Sequence, residues 1–310
     1  MNKINFFNEV RDKAAEYYEG KGKVSMHEVD KNNGLKKMGI CVTLVGGNCG
    51  PTVYLDDFYE EFLKGKSFGS VFNDIIRVID QHLVGEKVDF SFFSDFDLVC
   101  DKICFRLISS KRNEEKLKEI PHRLMEDLAV TYFVSLSAMG IEGSVAVNNE
   151  IMKIWDATEE DLFEAALDNT PRLYPAEIVP IYDYLEKQGG QNCCPGDVFG
   201  YDSYFEGLLV ASNEKLTNGA SVILYPELLK EVAEHFGSNY YILPSSVHEV
   251  IFVKELFSQD EPGTLEDMIK TVNATCVLPE DVLSDSLYYY DRTHENNIKK
   301  VEQVRDTMVL

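Results

Sequence analysis

Basic residues are scarce in the second half of this chain. The 310 residues include 30 Lys and Arg against 53 Asp and Glu, a net charge of -23. Residues 142–291 hold 7 basic and 28 acidic residues, a net charge of -21, whereas residues 1–50 hold 8 basic and 6 acidic residues. Because nucleic-acid binding draws its affinity from cationic contacts to phosphate, we expect no direct binding of DNA or RNA.

Long apolar runs and targeting signals are also missing. No stretch approaches the roughly 20 apolar residues of a membrane-spanning helix, and residues 1–10 contain no apolar run followed by a small-residue cleavage site. The seven cysteines are an odd number without repeated short-spaced pairs. Such usage fits reduced thiols better than a disulfide framework. We therefore expect a cytoplasmic protein with no membrane segment.

The usual cofactor motifs are absent as well. The glycine-rich residues 46–50 lack the Lys-Ser/Thr of a phosphate-binding loop, and the histidines show no zinc-site spacing. Carboxylates that could offer oxygen ligands to a hard cation cluster at Asp56 with Asp57, at residues 159–161, and at Asp281 with Asp285. Each cluster lies in or near the first turn of a predicted helix, where acidic residues interact favourably with the helix dipole. We therefore expect no metal site and no cofactor.

Cysteine positions leave two alternatives open. Cys100 and Cys104 would share a helix face if the predicted helix near residues 94–101 reached that far, which would allow metal binding. Cys193 and Cys194 are adjacent, in a predicted loop over residues 188–204 with four glycines and one proline, and such a pair could sense redox state.

A strand, a turn, a second strand and an amphipathic helix can be read three times along the chain. The three copies span residues 39–62, 128–155 and 208–236, and the last copy includes a predicted strand over residues 220–225. A mixed order of strands and helices predicts an α+β fold with mainly antiparallel sheets, because parallel sheets need a helix between nearly every pair of strands.

The chain also predicts two regions. Residues 84–93 form a short linker between an N-terminal α/β lobe, residues 1–88, and a larger acidic α+β domain, residues 89–310. Within the larger domain, Thr158 is placed to cap a helix that begins at Glu159, and residues 175–187 are predicted as a further helix.

One local motif brings together the side-chain types of a hydrolytic site. Residues 243–250 contain Ser246, His248 and Glu249, which are the types found in a nucleophile, a base and an orienting acid. In a strand, Ser246 and His248 share a face while Glu249 points away, so the stretch alone does not form a triad. These three residues are the candidate catalytic residues. The alternative is that they lie at the start of a strand, where their polar groups form hydrogen bonds only with neighbouring residues.

Arg172 is a candidate anion clamp. It follows Pro171 near the end of a predicted helix, where a guanidinium could hold an anion. In so acidic a region we expect it to pair with Asp or Glu instead.

Distinctive motifs are spread along nearly the whole chain, at residues 32–35, 51–55, 58–60, 242–250, 283–285 and 290–292, and at Trp155 with residues 169–171. Together they resemble an uncharacterised bacterial family, domain-of-unknown-function family 5688. The resemblance covers nearly the whole chain and implies one shared architecture, but it carries over no reaction. Residues 120–253 are similar, more faintly, to a second uncharacterised bacterial family, with His248 and Glu249 in place of its usual Arg-Asp.

The sequence favours a non-catalytic interaction or regulatory protein with an acidic surface for a basic protein partner. The alternative is a hydrolase, with or without metal assistance, whose site includes Ser246, His248 and Glu249. A third hypothesis is mimicry of nucleic acid, which predicts carboxylates in rows with phosphate-like spacing.

Overall fold

The computed structural model describes residues 1–85, 87–141, 143–187, 207–244, 246–255, 262–293 and 298–301. The chain divides into two compact units, Met1–Phe92 and Phe93–Leu310. This division lies four residues after the boundary predicted from the sequence. None of the described helices is long and apolar enough to cross a membrane.

The first unit packs α-helices against a three-stranded antiparallel sheet of order β1-β2-β3. The turn between β1 and β2 is a short 3-10 segment in which Asn33 and Gly34 both have positive φ, 59° and 70°. Phe6, Val10, Leu55 and Ile75 are fully buried in one hydrophobic core. The elements are α1 (Lys3–Tyr17), β1 (Gly22–Asp30), β2 (Lys36–Leu44), β3 (Thr52–Tyr54), α2 (Leu55–Leu63) and α3 (Phe68–Gln81).

The described residues of the second unit form two sheets, and all of their strand pairs are antiparallel. Its elements are α4 (Phe96–Val99), β4 (Ile103–Ser109), α5 (Glu114–Leu117), β5 (His122–Met125), β6 (Leu128–Ser135), β7 (Ser144–Ala146), α6 (Asn149–Ile154), α7 (Glu159–Leu173), β8 (Ala176–Pro180), α8 (Ile181–Lys187), β9 (Leu208–Asn213), α9 (Leu228–Phe236), β10 (Tyr240–Leu243), β11 (Val250–Lys254), α10 (Pro262–Thr275), β12 (Tyr288–Tyr290) and β13 (Ile298–Lys300).

The smaller sheet has the order β4-β6-β5, with β7 also paired to β6, and the larger sheet has the order β13-β12-β10-β11-β9-β8. The predicted α+β fold with mainly antiparallel sheets is therefore confirmed. Of the three predicted repeats, the first corresponds to β2, β3 and α2, and the second to β6, β7 and α6.

The third repeat lacks its second strand. The predicted strand over residues 220–225 is wrong, since Gly219–Leu224 is a 3-10 helix. Residues 220–223 are all buried. The sequence of a short segment that is buried on every side shows neither the two-residue repeat of a strand nor the three- to four-residue repeat of a helix, so the two cannot be told apart.

A second correction concerns residues 175–187, predicted as one helix. The structure instead has strand β8 followed by helix α8. Ile178 and Val179 are β-branched and pair with Ala211 and Val210 of β9, which favours a strand. Pro180 is tolerated because β8 is an edge strand, where a missing N–H costs no ladder bond.

Helix α7 packs one face on the smaller sheet through polar as well as apolar contacts. Leu162 and Ala166 are fully buried. Near its C-terminal end, the Thr170 hydroxyl accepts a hydrogen bond from the backbone N–H of Phe105 (3.1 Å), and the Asn169 amide donates to the Ile103 carbonyl (3.0 Å). These contacts fix which face of α7 points outward.

Asp127, in the turn between β5 and β6, connects the two sheets of the second unit. Its carboxylate accepts hydrogen bonds from the hydroxyls of Ser284 (2.7 Å), Ser286 (2.9 Å) and Tyr288 (2.5 Å) and forms an ion pair with Lys300 (3.3 Å). Burial raises the pKa of Asp127, but these hydrogen bonds and the Lys300 charge outweigh it, so the net pKa is lowered.

Candidate functional site

The candidate residues Ser246, His248 and Glu249 lie in a turn between β10 and β11. The backbone N–H of Ser246 donates to the Glu249 carbonyl (3.3 Å), which closes the turn. The Ser246 hydroxyl accepts from the backbone N–H of His248 (2.9 Å) and donates to Glu249 Oε1 (2.9 Å). The prediction that Glu249 points away from Ser246 is wrong, because these residues turn back rather than extend as a strand.

His248 uses both ring nitrogens. Its Nδ1 accepts a hydrogen bond from the backbone N–H of Asn218 (3.2 Å), and its Nε2 lies 3.3 Å from Asp281 Oδ1. A neutral imidazole with its proton on Nε2 satisfies both contacts. Asn218, at a φ of 54°, precedes the 3-10 helix Gly219–Leu224, so this helix positions the donor.

The charge state of His248 is set by opposing effects. The hydrogen bond to Asp281 and the charges of Asp281 and Glu249 raise the pKa of His248. Burial lowers this pKa by less, so the net pKa of His248 is raised. The Asn218 N–H also opposes protonation at Nδ1, because an imidazolium cannot accept a hydrogen bond there. The pair with Asp281 is therefore the main electrostatic feature of this turn.

The hydroxyl and the imidazole are not arranged as nucleophile and base. Among the described hydrogen bonds, none joins Ser246 Oγ to the His248 ring, since this hydroxyl contacts the His248 backbone and Glu249. Ser246 is only 4% exposed. The surrounding chain is also tightly packed, because a Cβ atom on Gly219 would come within 2.3 Å of the His248 carbonyl oxygen. The contacts are those of a turn held by polar side chains.

The carboxylate clusters have structural partners. Asp56 accepts from the Met38 N–H (2.7 Å) and pairs with Lys3 (2.8 Å). Within the described residues, no group of three or more His, Cys, Asp or Glu is arranged to hold a metal ion. The other partners are Lys37 for Asp57, Arg123 for Glu159 and Glu160, Thr158 for Asp161, His248 for Asp281, and Arg112 and Asn273 for Asp285.

The remaining candidates from the sequence are the cysteine pairs and Arg172. Cys100 is in a 3-10 helix and Cys104 in strand β4, so they share no helix face. Cys193 and Cys194 lie outside the described residues. Arg172 donates to the Asp101 carbonyl (2.8 Å) and to Asn169 Oδ1 (2.7 Å). Within the part of the chain that the structure describes, Arg172 therefore contacts a backbone carbonyl and an amide oxygen rather than the acidic side chain that the sequence predicted.

The outward face of α7 carries a row of carboxylates. Glu160, Glu164 and Asp168 are exposed and recur every four residues, which places them on one side of the helix with a rise of about 6 Å per step. Glu160 pairs with Arg123 (2.5 Å). Glu164 and Asp168 have no hydrogen-bond or ion-pair partner among the described residues, so their like charges repel each other along the helix.

Sequence reasoning missed the partners of His248. Asn218 and Asp281 are far from His248 in sequence and reach it only through the fold, so no local spacing could have revealed them. In the sequence, Asp281 stands out only as part of a carboxylate cluster near a predicted helix start.

The fold and the site define an α+β protein with two units and an acidic exposed helix face. The model of a family of unknown function (DUF5688) matches residues 3–292, and the chain belongs to this family. No curated protein and no solved structure matches the chain.

Proposed function

We propose that this protein is a non-catalytic interaction or regulatory protein whose acidic second unit binds a basic segment of a partner protein. The observation that carries the proposal is the pair Glu164 and Asp168 on α7. Both are exposed and have no cationic partner among the described residues, although like charges four residues apart destabilise a helix by about 0.2–0.5 kcal/mol. A row of basic side chains on a partner would relieve this repulsion.

The charge distribution around α7 supports the same role. Residues 142–291 carry a net charge of -21, and Glu231 and Glu234 on α9 are exposed without a partner among the described residues. A field of one sign speeds association with a partner of the opposite sign and weakens as salt is added.

The test compares three forms of the full chain as bait in native lysate at low and high salt. They are the wild type, Glu164→Lys with Asp168→Lys on α7, and a control with Glu9→Lys and Glu16→Lys on α1, which makes the same charge change in the first unit. We expect the wild type and the control to capture the same partner at low salt, and the α7 variant to lose it. Equal capture by all three forms at both salt concentrations would contradict the proposal.

A hydrolase using Ser246, His248 and Glu249, with or without a metal, remains the alternative. The His248–Asp281 pair favours it, since a carboxylate that orients an imidazole is part of hydrolytic triads. The buried hydroxyl of Ser246 weighs against it. Loss of an ester-hydrolysing activity in a folded Ser246→Ala variant, with no effect in Ser238→Ala, would establish the hydrolase and displace the interaction role.

Mimicry of nucleic acid is a special case of the interaction role. The row on α7 is the feature that favours it, because its charges are regularly spaced. Release of the captured partner by added DNA, at constant ionic strength, would identify mimicry.

We further propose a cytoplasmic location, since Cys41, Cys49, Cys100, Cys104 and Cys276 are free thiols.

A further inference from the structure

The first unit contains a groove between α1 and α3 that is lined by aromatic side chains. Its volume of about 410 Å³ lies within the range of small-molecule sites. The rings of Phe68 and Phe72 are nearly parallel, with 6.2 Å between their centres. Tyr17 of α1 also lines the groove and is 46% exposed. Because aromatic rings pack favourably against one another, an aromatic group suits this groove.

Two opposite charges line the same groove without pairing with each other. Lys13 and Glu16 are three residues apart on α1, a spacing at which opposite charges can form an ion pair. Within the described residues, however, neither side chain makes a hydrogen bond or an ion pair. The Lys13 ammonium lies 6.0 Å from the ring centre of Phe68 instead. Since both charged side chains are exposed, a cation and an anion are available to a ligand.

Gly69 leaves space in the groove. It is the second residue of α3, and outside its own helix backbone a Cβ atom at this position would meet no heavy atom within 4 Å. Its φ is not positive, so neither packing nor backbone conformation requires glycine here. Glycine is less favourable in a helix than alanine or leucine. The helix therefore gives up some stability at a position where a larger side chain would enter the groove.

We propose that this groove binds a free aromatic amino acid. The carboxylate of the ligand pairs with Lys13 and its ammonium pairs with Glu16. The ring packs against Phe68, Phe72 and Tyr17. A free amino acid carries one charge of each sign, as this groove does. A residue inside a peptide has neither charge and a terminal residue has only one, so the free form matches the groove best.

The test compares four ligands by NMR titration of the isotope-labelled full chain at constant ionic strength. L-Phenylalanine has the ring and both charges. Phenylpropionate lacks the ammonium, phenylethylamine lacks the carboxylate, and L-alanine lacks the ring. The amide signal of Gly69 reports binding at the groove. The groove belongs to the first unit and its ligand takes no part in partner capture by α7, so the two proposals stand or fail separately.

We expect L-phenylalanine to shift the Gly69 signal with a Kd of about 1 mM or tighter. Phenylpropionate and phenylethylamine should each bind about two- to fivefold more weakly, which corresponds to the loss of one exposed ion pair. L-Alanine should cause no shift up to about 10 mM, because it makes no contact with the aromatic walls.

Two substitutions assign each charge of the ligand to one residue. Lys13→Met should weaken the binding of L-phenylalanine but not that of phenylethylamine, which has no carboxylate. Glu16→Gln should weaken the binding of L-phenylalanine but not that of phenylpropionate, which has no ammonium. This crossed pattern distinguishes direct pairing from a general effect of the charge of the protein.

Gly69→Leu tests the space in the groove. The added side chain would occupy the ligand site, so we expect the affinity for L-phenylalanine to fall about tenfold or more. The Tm should be equal or higher, since leucine favours a helix. Gly263→Leu is the matched control, because Gly263 is the second residue of α10 and a Cβ atom there also meets nothing within 4 Å. It should bind L-phenylalanine as the wild type does.

Three results would each overturn the inference. The first is no shift of the Gly69 signal by L-phenylalanine up to about 10 mM. The second is equal binding of L-phenylalanine and the three ligands that lack a charge or the ring. The third is unchanged binding in Gly69→Leu or, if that variant does not fold, in both Lys13→Met and Glu16→Gln, which change only exposed side chains.

Discussion

At the scale of single residues, the second unit places three ionisable side chains in half-buried or buried surroundings, and each has different partners. Asp127 is surrounded by hydroxyls and Lys300. His248 is held between Asn218 and Asp281. Arg106 has no counter-charge among the described residues. The first two arrangements are complete and therefore stabilise the fold, whereas the Nε atom of Arg106 is buried without a hydrogen-bond partner among the described residues.

We expect Asp127→Ala to lower the free energy of unfolding by about 2 to 4 kcal/mol. The substitution would leave the hydroxyls of Ser284 and Tyr288 and the Lys300 ammonium without their shared acceptor. Urea denaturation gives the measurement. Asp168→Ala is the control, because this exposed and unpaired carboxylate should change the free energy of unfolding by no more than about 0.5 kcal/mol. Equal effects of the two substitutions would contradict the role of the Asp127 carboxylate as the shared acceptor of these groups.

The same carboxylate gives a pH dependence. The folded-state pKa of Asp127 is lowered from its ordinary value, so its contribution to stability is present above the unfolded pKa of about 3.9 and is lost as pH falls through the folded pKa. The stability difference between the wild type and Asp127→Asn should therefore shrink on acidification below about pH 4. If the stability difference between the two proteins stayed constant down to the folded-state pKa, ionisation of Asp127 would not contribute to stability.

We expect Asp281→Asn to lower the pKa of His248, because it removes the largest cause of its increase. A raised folded-state pKa contributes stability below the unfolded pKa of about 6.5, and this contribution is lost as pH rises through the folded value. NMR titration of the His248 ring measures the change, with exposed His235 as the internal reference. An unchanged His248 pKa in the variant would show that Asp281 does not control it.

At the scale of elements, helix α7 combines two roles on opposite faces. Its inner face packs on the smaller sheet through Leu162, Ala166 and Thr170. Its outer face presents Glu164 and Asp168. The cap at the N-terminus of α7 stabilises the helix and so offsets the repulsion between these two carboxylates. The Thr158 hydroxyl accepts from the Asp161 N–H (3.2 Å), and the Asp161 carboxylate accepts from the Thr158 N–H (2.7 Å).

We expect Thr158→Ala to destabilise the protein by about 1 kcal/mol, the usual cost of removing a helix-capping hydroxyl. Thr158→Ser keeps the hydroxyl and should lie close to the wild type. Chemical denaturation followed by circular dichroism distinguishes the two. If serine and alanine destabilised equally, the methyl group rather than the cap would be the source of the effect.

At the scale of the whole molecule, the sequence predicted elements with strong local signals and missed those that depend on the fold. Thr158 marked the start of α7, because cap chemistry is local. The 3-10 helix after Asn218 was predicted as a strand because its residues are buried on all sides. Strand β8 was predicted as a helix because its pairing with β9 is not visible locally.

The candidate site was less predictable than the fold. The sequence grouped Ser246, His248 and Glu249 by proximity, but the ring of His248 pairs with Asp281 and the turn brings Ser246 to Glu249.

The first unit should fold alone. Residues 1–92 have their own core, in which Phe6, Val10 and Ile75 are fully buried. We expect this fragment to unfold in one cooperative transition, and Ile75→Ala to lower its stability by about 2 to 5 kcal/mol. Circular dichroism of the isolated fragment is the measurement, and a spectrum of unfolded chain would contradict the division into two independent units.

The central claim is that the acidic face of α7 binds a basic partner. The most direct measurement is the Kd of the partner captured from lysate, determined between about 50 and 500 mM salt for the wild type, the Glu164→Lys/Asp168→Lys variant and the Glu9→Lys/Glu16→Lys control. We expect affinity to fall steadily with salt for the wild type and the control, and to be weak at every salt concentration for the α7 variant. A Kd that is independent of salt and equal in all three proteins would contradict the claim.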